Sequence, residues 1–178
     1  MQKNLKTNLN EMVRAAVLIA IGIILPLFFH TIKNAGSIFL PMHIPVLIGG
    51  FILSPAYAVS VGILSPLLSH LFTGMPPFPF VFVMIFELAA YGFFTSLLYN
   101  KIKLGLYPSL ISSMLIGRIV NIIGVYFIIH LFMGKQFKLS ILLSGLFLKG
   151  LPGIIIQLLL IPLIIKALNK SSLFESRR

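Results

Sequence analysis

The chain has 178 residues, of which 58% are hydrophobic and only 10% charged. A soluble domain of this length needs more charge to cover its surface, so the outer face of this one must meet lipid. Fourteen Lys and Arg stand against three Asp and Glu, a formal net charge of +11, and there is no cysteine, which excludes disulfides, thiolate metal sites and thiol nucleophiles.

Six apolar stretches follow one another. The first runs from about Met12 to His30, behind Lys3, Lys6 and Arg14. It has the basic front of a signal peptide, but no clean small-residue cleavage site follows, so it is expected to be a retained helix. The second starts near Met42 and stops at Ser54-Pro55, where proline disfavours helix in the residue before it. The third covers Ala56 to Phe72, the fourth Phe78 to Tyr99, the fifth Tyr107 to Phe132 and the sixth Leu139 to Leu168. A span needs about 20 apolar residues, so the second and third are short, and half-length, tilted or tightly bent segments are expected there.

The basic residues gather at the ends of these stretches, as they do in cytoplasmic loops facing an anionic leaflet, and no soluble basic element offers itself to nucleic acid. With the N-terminus inside, Lys3, Lys6, Arg14, Lys101, Lys103, Lys166, Lys170, Arg177 and Arg178 are cytoplasmic, and Lys33, Lys135 and Lys138 lie outside. The expectation is an all-α polytopic membrane bundle of six transmembrane helices, one domain over residues 1–178, with both termini cytoplasmic. Two outer loops, Thr31 to Pro41 and Thr73 to Pro77, are rich enough in Gly and Pro to form ordered turns, as plain connectors or as lids.

Charges inside a membrane are expensive and so point to function. Three fall within the spans: Glu87, Arg118 and Lys149. At about 1.5 Å per residue, Glu87 and Lys149 lie roughly 14 Å, and Arg118 about 20 Å, from the outer ends of their helices, so they are able to meet in one pocket. One Glu does not neutralise both cations, and an anionic ligand would supply the missing charge. Gly145, Lys149, Gly153 and Gln157 recur every four residues and share a helix face. Asn121 and Tyr91 lie one turn from Arg118 and Glu87. Either reading fits Asn121, Tyr91 and Gln157 taken singly, ligand binding or interhelical hydrogen bonding. His30, His43, His70 and His130 are scattered near outer span ends without a His-x-x-x-His pair, and interfacial residues are expected rather than metal ligands. Ala16 and Ala20, and Ala58 and Gly62, form small-residue faces for close helix contact, within the bundle or with a partner. No phosphate-binding loop, His-Glu-x-x-His or Gly-x-Ser-x-Gly occurs, so no enzymatic activity and no ATP hydrolysis by this chain are expected.

The segment Arg14-Ala15-Ala16 to Ala20, the stretch Leu40 to Gly50, and then Ser54-Pro55-Ala56-Tyr57, Val61-Gly62 and Ser65-Pro66, in a chain of this size, resemble the substrate-binding S component of an energy-coupling factor (ECF) vitamin transporter. The resemblance implies a multi-pass protein of a bacterial cell membrane that binds a water-soluble vitamin from outside. It implies docking, through Ala16 and Ala20, on a membrane coupling protein with two ATPase subunits, which use the ATP; toppling in the membrane would deliver the vitamin, and the outer loops would be lids. The chain itself needs no cofactor. Glu87, Arg118, Asn121, Lys149, Gln157 and Tyr91 are the candidate substrate-binding residues, by their intramembrane polarity. A carboxylate vitamin suits Arg118 and Lys149, with pantothenate first and folate, cobalamin or a pyridoxine-type compound as alternatives. Two other classes compete: an intramembrane enzyme built on Glu87 and a histidine, and a structural or assembly subunit in which the three charges close on themselves without a cavity.

Overall fold

The computed structural model describes residues 2–29, 35–134, 136 and 138–170, with side chains from residue 8 onward except at 35 and 131. His30, Thr31, Lys33, Asn34, Lys135, Arg177 and Arg178 lie outside the described residues. Every regular element among those described is helical: α1 (Gln2–Leu27), α2 (Ala35–Phe39), α3 (His43–Ile52), α4 (Pro55–Thr73), α5 (Phe80–Ser96), α6 (Leu106–Tyr126), α7 (Leu139–Leu143) and α8 (Leu151–Lys170). Wider π turns extend α5 over Leu97–Lys101, α6 over Phe127–Phe132 and α7 over Ser144–Lys149.

Five helical segments are long and apolar enough to cross a membrane: Asn8–Leu27, Pro55–Thr73, Phe80–Lys101, Leu106–His130 and Leu151–Lys170. Two more, Gly36–Ile52 and Leu139–Lys149, are apolar but shorter. Their outward faces are apolar at helical spacing, for example Leu115, Ile119 and Ile123 on α6 and Ile155, Leu159 and Leu163 on α8. Polar Glu87, Arg118 and Gln157 are buried. That distribution belongs to a bundle solvated by lipid and polar inside.

The third stretch makes a full-length helix because its ends are well capped. Pro55 occupies the first turn of α4, where its missing N–H is not needed. The buried carboxylate of Glu11 on α1 accepts the Ser54 N–H at 2.9 Å. At the far end Gly74 is left-handed (φ 72°) and its N–H donates to His70 O, a glycine stop that a residue with a Cβ disfavours.

The second stretch is the central pillar. Eight of the ten residues of α3 are buried, and it packs on α1, α4, α5 and α8. Its C-terminal carbonyls end inside the bundle, away from bulk water, and must find donors there. The Asn100 amide donates to Gly50 O and Leu53 O, each at 3.2 Å, and Ser96 Oγ donates to Leu53 O at 2.8 Å. Polar groups of the α5 segment thus terminate α3.

The sixth stretch is not one helix from Leu139 to Leu168. It is divided at Gly150, with the 139–149 segment before and α8 after. Pro152 is the physical reason: it lacks an N–H and its ring crowds the carbonyl four residues back, so it starts a helix and does not continue one.

Helices α4 and α5 touch backbone to backbone. A Cβ on Gly62 would meet the Leu88 carbonyl, and one on Gly92 would meet the Ala58 carbonyl. The small face of Ala58 and Gly62 therefore serves the chain's own bundle. Gly22 of α1 likewise turns inward onto Ser65 of α4. Ala16 and Ala20 lie on the exposed side of α1, beside exposed Met12, Val13 and Val17.

Candidate functional site

One end of the bundle is hollow. The cavity has a volume of about 1070 Å³ and is bounded by the last residues of α1, α4 and α6 and the first of α3 and α5. The 139–149 segment and the turn Met75–Pro77 complete its wall. This turn is fixed by side chains: Thr73 Oγ1 donates to Ser69 O at 2.7 Å and accepts the Met75 N–H at 3.2 Å, and His70 Nδ1 lies 2.7 Å from Pro76 O.

Much of the lining is apolar, with Val83, Met84, Val125, Leu142 and Leu146 among it. Polar groups converge on Glu87, half-way along α5. Its Oε1 accepts from Tyr91 Oη at 3.1 Å and from Arg118 Nη1 at 3.3 Å, and its Oε2 accepts from Asn121 Nδ2 at 2.7 Å. Glu87 and Arg118 are 3% and 5% exposed, so this is a buried ion pair, and its carboxylate is held by three donors as such a pair requires. Tyr91 is seated by Gly117, where any Cβ would overlap the tyrosine ring. Two helices are thereby fixed against each other at the charged layer.

Of the residues singled out by sequence, Glu87, Arg118, Asn121 and Lys149 line the cavity. Tyr91 stands behind Glu87 and orients it. Gln157 is buried outside the lining, its Nε2 3.5 Å from Leu40 O, and Gly153 packs on the backbone of Ile38 and Phe39. Those two hold the left-handed turn at Leu40 (φ 50°) that leads from α2 to α3. The break at Gly150 is why the four-residue repeat from Gly145 to Gln157 divides between two tasks.

His43 corrects the expectation of an interfacial residue. It is 3% exposed, lines the cavity, and its Nε2 lies 3.5 Å from Glu87 Oε1 without hydrogen-bond geometry. Its ring packs 5.4 Å from that of Tyr91. The one signal available in the sequence was the rival reading that set Glu87 beside an unspecified histidine. Lys138, expected as an ordinary outer-loop lysine, is also part of the wall.

The charges of the lining do not balance. Among the described residues Glu87 is its one carboxylate, against Arg118, Lys138 and Lys149. Glu87 pairs with Arg118, and neither lysine has an ion-pair partner among the described residues. The arrangement offers positive charge to a molecule of small-metabolite size in a mostly apolar cleft.

No curated protein and no solved structure matches the chain. A family model, that of the substrate-specific component of ECF transporters, matches residues 10–165. That match covers most of the chain, and the protein belongs to the family of ECF transporter substrate-specific components.

Proposed function

We propose that this chain is the vitamin-binding subunit of an ECF importer and that its substrate carries a carboxylate, with pantothenate the first candidate. The observation that carries the reading is the uncompensated positive charge of a 1070 Å³ cavity. A structural subunit with a closed network of charges would have no use for such a space. Glu87, Arg118, Asn121 and Lys149 form the substrate-facing set, and Tyr91 and Gln157 support it from behind. The volume lies near the upper end for small-molecule sites and so favours folate-sized acids as the second reading.

The six-crossing topology is part of the proposal. With α2 and α3 together as the second crossing and the 139–170 segment as the sixth, alternate helix ends all reach the cavity. With the N-terminus cytoplasmic, the cavity faces outward. The coupling protein would dock on the exposed Ala16/Ala20 side of α1, and two ATPase subunits would use the ATP.

The test is uptake of labelled pantothenate and folate into proteoliposomes that hold this chain with a coupling protein and both ATPases. Uptake of one of them should require ATP. Ala16→Trp and Ala20→Trp should abolish uptake while the detergent-purified chain still binds its vitamin. Loss of that binding would mean that the Ala16/Ala20 face packs within the bundle.

A further inference from the structure

We infer that Gly36 and Gly145 are the size-selecting residues of the cavity. Each keeps open a space that the ligand fills, so two missing side chains set the breadth of what binds. The inference rests on the reading of the cavity as a substrate site and names the residues that limit its substrate.

A glycine inside a helix is less favourable than an alanine there and needs a reason. Two structural reasons recur in this chain. Gly62 and Gly92 let another backbone approach, and Gly74 and Gly134 have a positive φ. Neither reason holds for Gly36 or Gly145. Gly36 belongs to α2 and Gly145 to the π turns over Ser144–Lys149. Neither has a positive φ, and a Cβ built on either meets no atom within 4 Å. Both line the cavity. What a side chain at these positions would take away is therefore cavity space, not a contact of the fold.

Gly145 lies on the inner face of its segment. The lining residues Ile141, Leu142, Gly145, Leu146 and Lys149 recur at helical spacing. Leu143, Phe147 and Leu148, outside the lining, are exposed and apolar, as lipid contacts are. No residue of Leu139–Lys149 is buried, and the segment packs chiefly on α2 and α8. Its inner face is thus a helix surface that the protein does not cover at Gly145. The same turns pack on α2, which carries Gly36, so the two glycines stand on neighbouring elements.

Backbone laid bare at a glycine lets a ligand group come closer than it does elsewhere along the wall. Leu142 and Leu146 beside Gly145 favour an apolar group there. The glycines sort ligands by breadth, whereas the charges of the lining sort them by sign.

The first arm of the test exploits the absence of cysteine from the chain. Gly145→Cys and Leu148→Cys are made separately in the full chain, placed in lipid nanodiscs with both faces open to water, and treated with a permanently charged thiol reagent. Such a reagent modifies thiols in water and spares thiols in lipid. Gly145→Cys should react and Leu148→Cys should not. A Gly145→Cys thiol that is unmodified, or modified no faster than that of Leu148→Cys, overturns the inference and leaves the substrate-site reading standing.

The second arm measures size. Gly145→Ala, Gly145→Leu and Gly36→Leu are compared with the wild type by calorimetry in detergent, against a panel of water-soluble vitamins that includes pantothenate and folate. The thermal midpoint of Gly145→Ala should not fall, since helical backbone suits alanine. Affinity for the vitamin that binds should drop in steps, about tenfold or more for each leucine and less for alanine, the scale on which an apolar site answers to added methylenes. Should a leucine variant fail to fold, Gly145→Ala carries the measurement, with a loss of several-fold expected. Wild-type affinity in the folded variants overturns the inference while the substrate-site reading stands. Failure of every vitamin to bind the wild type removes that reading, and the inference with it.

Discussion

Glu87 is the residue on which the charged layer depends. It joins α5 to α6 through Arg118 and Asn121, and Tyr91 steadies it from the same helix. Removing one member of a buried ion pair leaves the other uncompensated and costs about 3–5 kcal/mol. Glu87→Gln and Arg118→Met should each lower thermal stability in detergent on that scale. The double variant should cost less than the two together, because no orphan charge remains. Additive losses would mean that the pair is not coupled. Glu87 and Arg118 were visible in the sequence, since polarity in an apolar run needs no structure to be noticed. Lys149, expected from the same kind of run to lie inside a sixth span, is exposed at the end of the short 139–149 segment. Which cation Glu87 takes was not visible, because the answer depends on helix rotation. His43 was hidden for another reason: it sits at the start of an apolar stretch, where an interfacial and a buried histidine look alike.

Among the elements, α3 carries the most consequence for its length. Eight of its ten residues are buried, so the carbonyls at its end need donors from within the bundle. Asn100→Ala removes the donor to Gly50 O and one of two to Leu53 O. The expected loss is about 1–3 kcal/mol, read as a lower midpoint in thermal unfolding; an unchanged midpoint would show that water or lipid headgroups satisfy those carbonyls. At the α4–α5 contact, Gly62→Val or Gly92→Val drives a side chain into a backbone carbonyl that has nowhere to move. Overpacking of this kind costs about 1–3 kcal/mol, and the same assay should show it. Hydropathy and proline positions were enough to place most helices. They did not place the break at Gly150, because an apolar run is equally compatible with one long helix and two shorter ones. The effect of Pro152 depends on whether it falls within a helix or in its first turn. Ala58 and Gly62 were legible as a contact face, but not whose contact it was. The backbone approach of α5 decides that.

At the scale of the whole molecule, a lipid-facing bundle encloses a cavity whose lining, among the described residues, has more positive than negative charge, and the chain belongs to the family of ECF transporter substrate-specific components. All-helical architecture and membrane solvation followed from composition, because a chain so poor in charge has few other solutions. Cavity shape did not, since it depends on loop closure and on the 139–149 segment. On the function proposed above, the cavity holds an anionic vitamin. The most direct measurement is native mass spectrometry of the chain, purified in detergent from bacterial membranes and then incubated with the vitamin panel. One carboxylate-bearing vitamin per chain is expected, retained by the wild type and lost when Lys138→Gln and Lys149→Gln are combined. A chain that carries no small molecule from the membrane and retains none from the panel would contradict the proposed function.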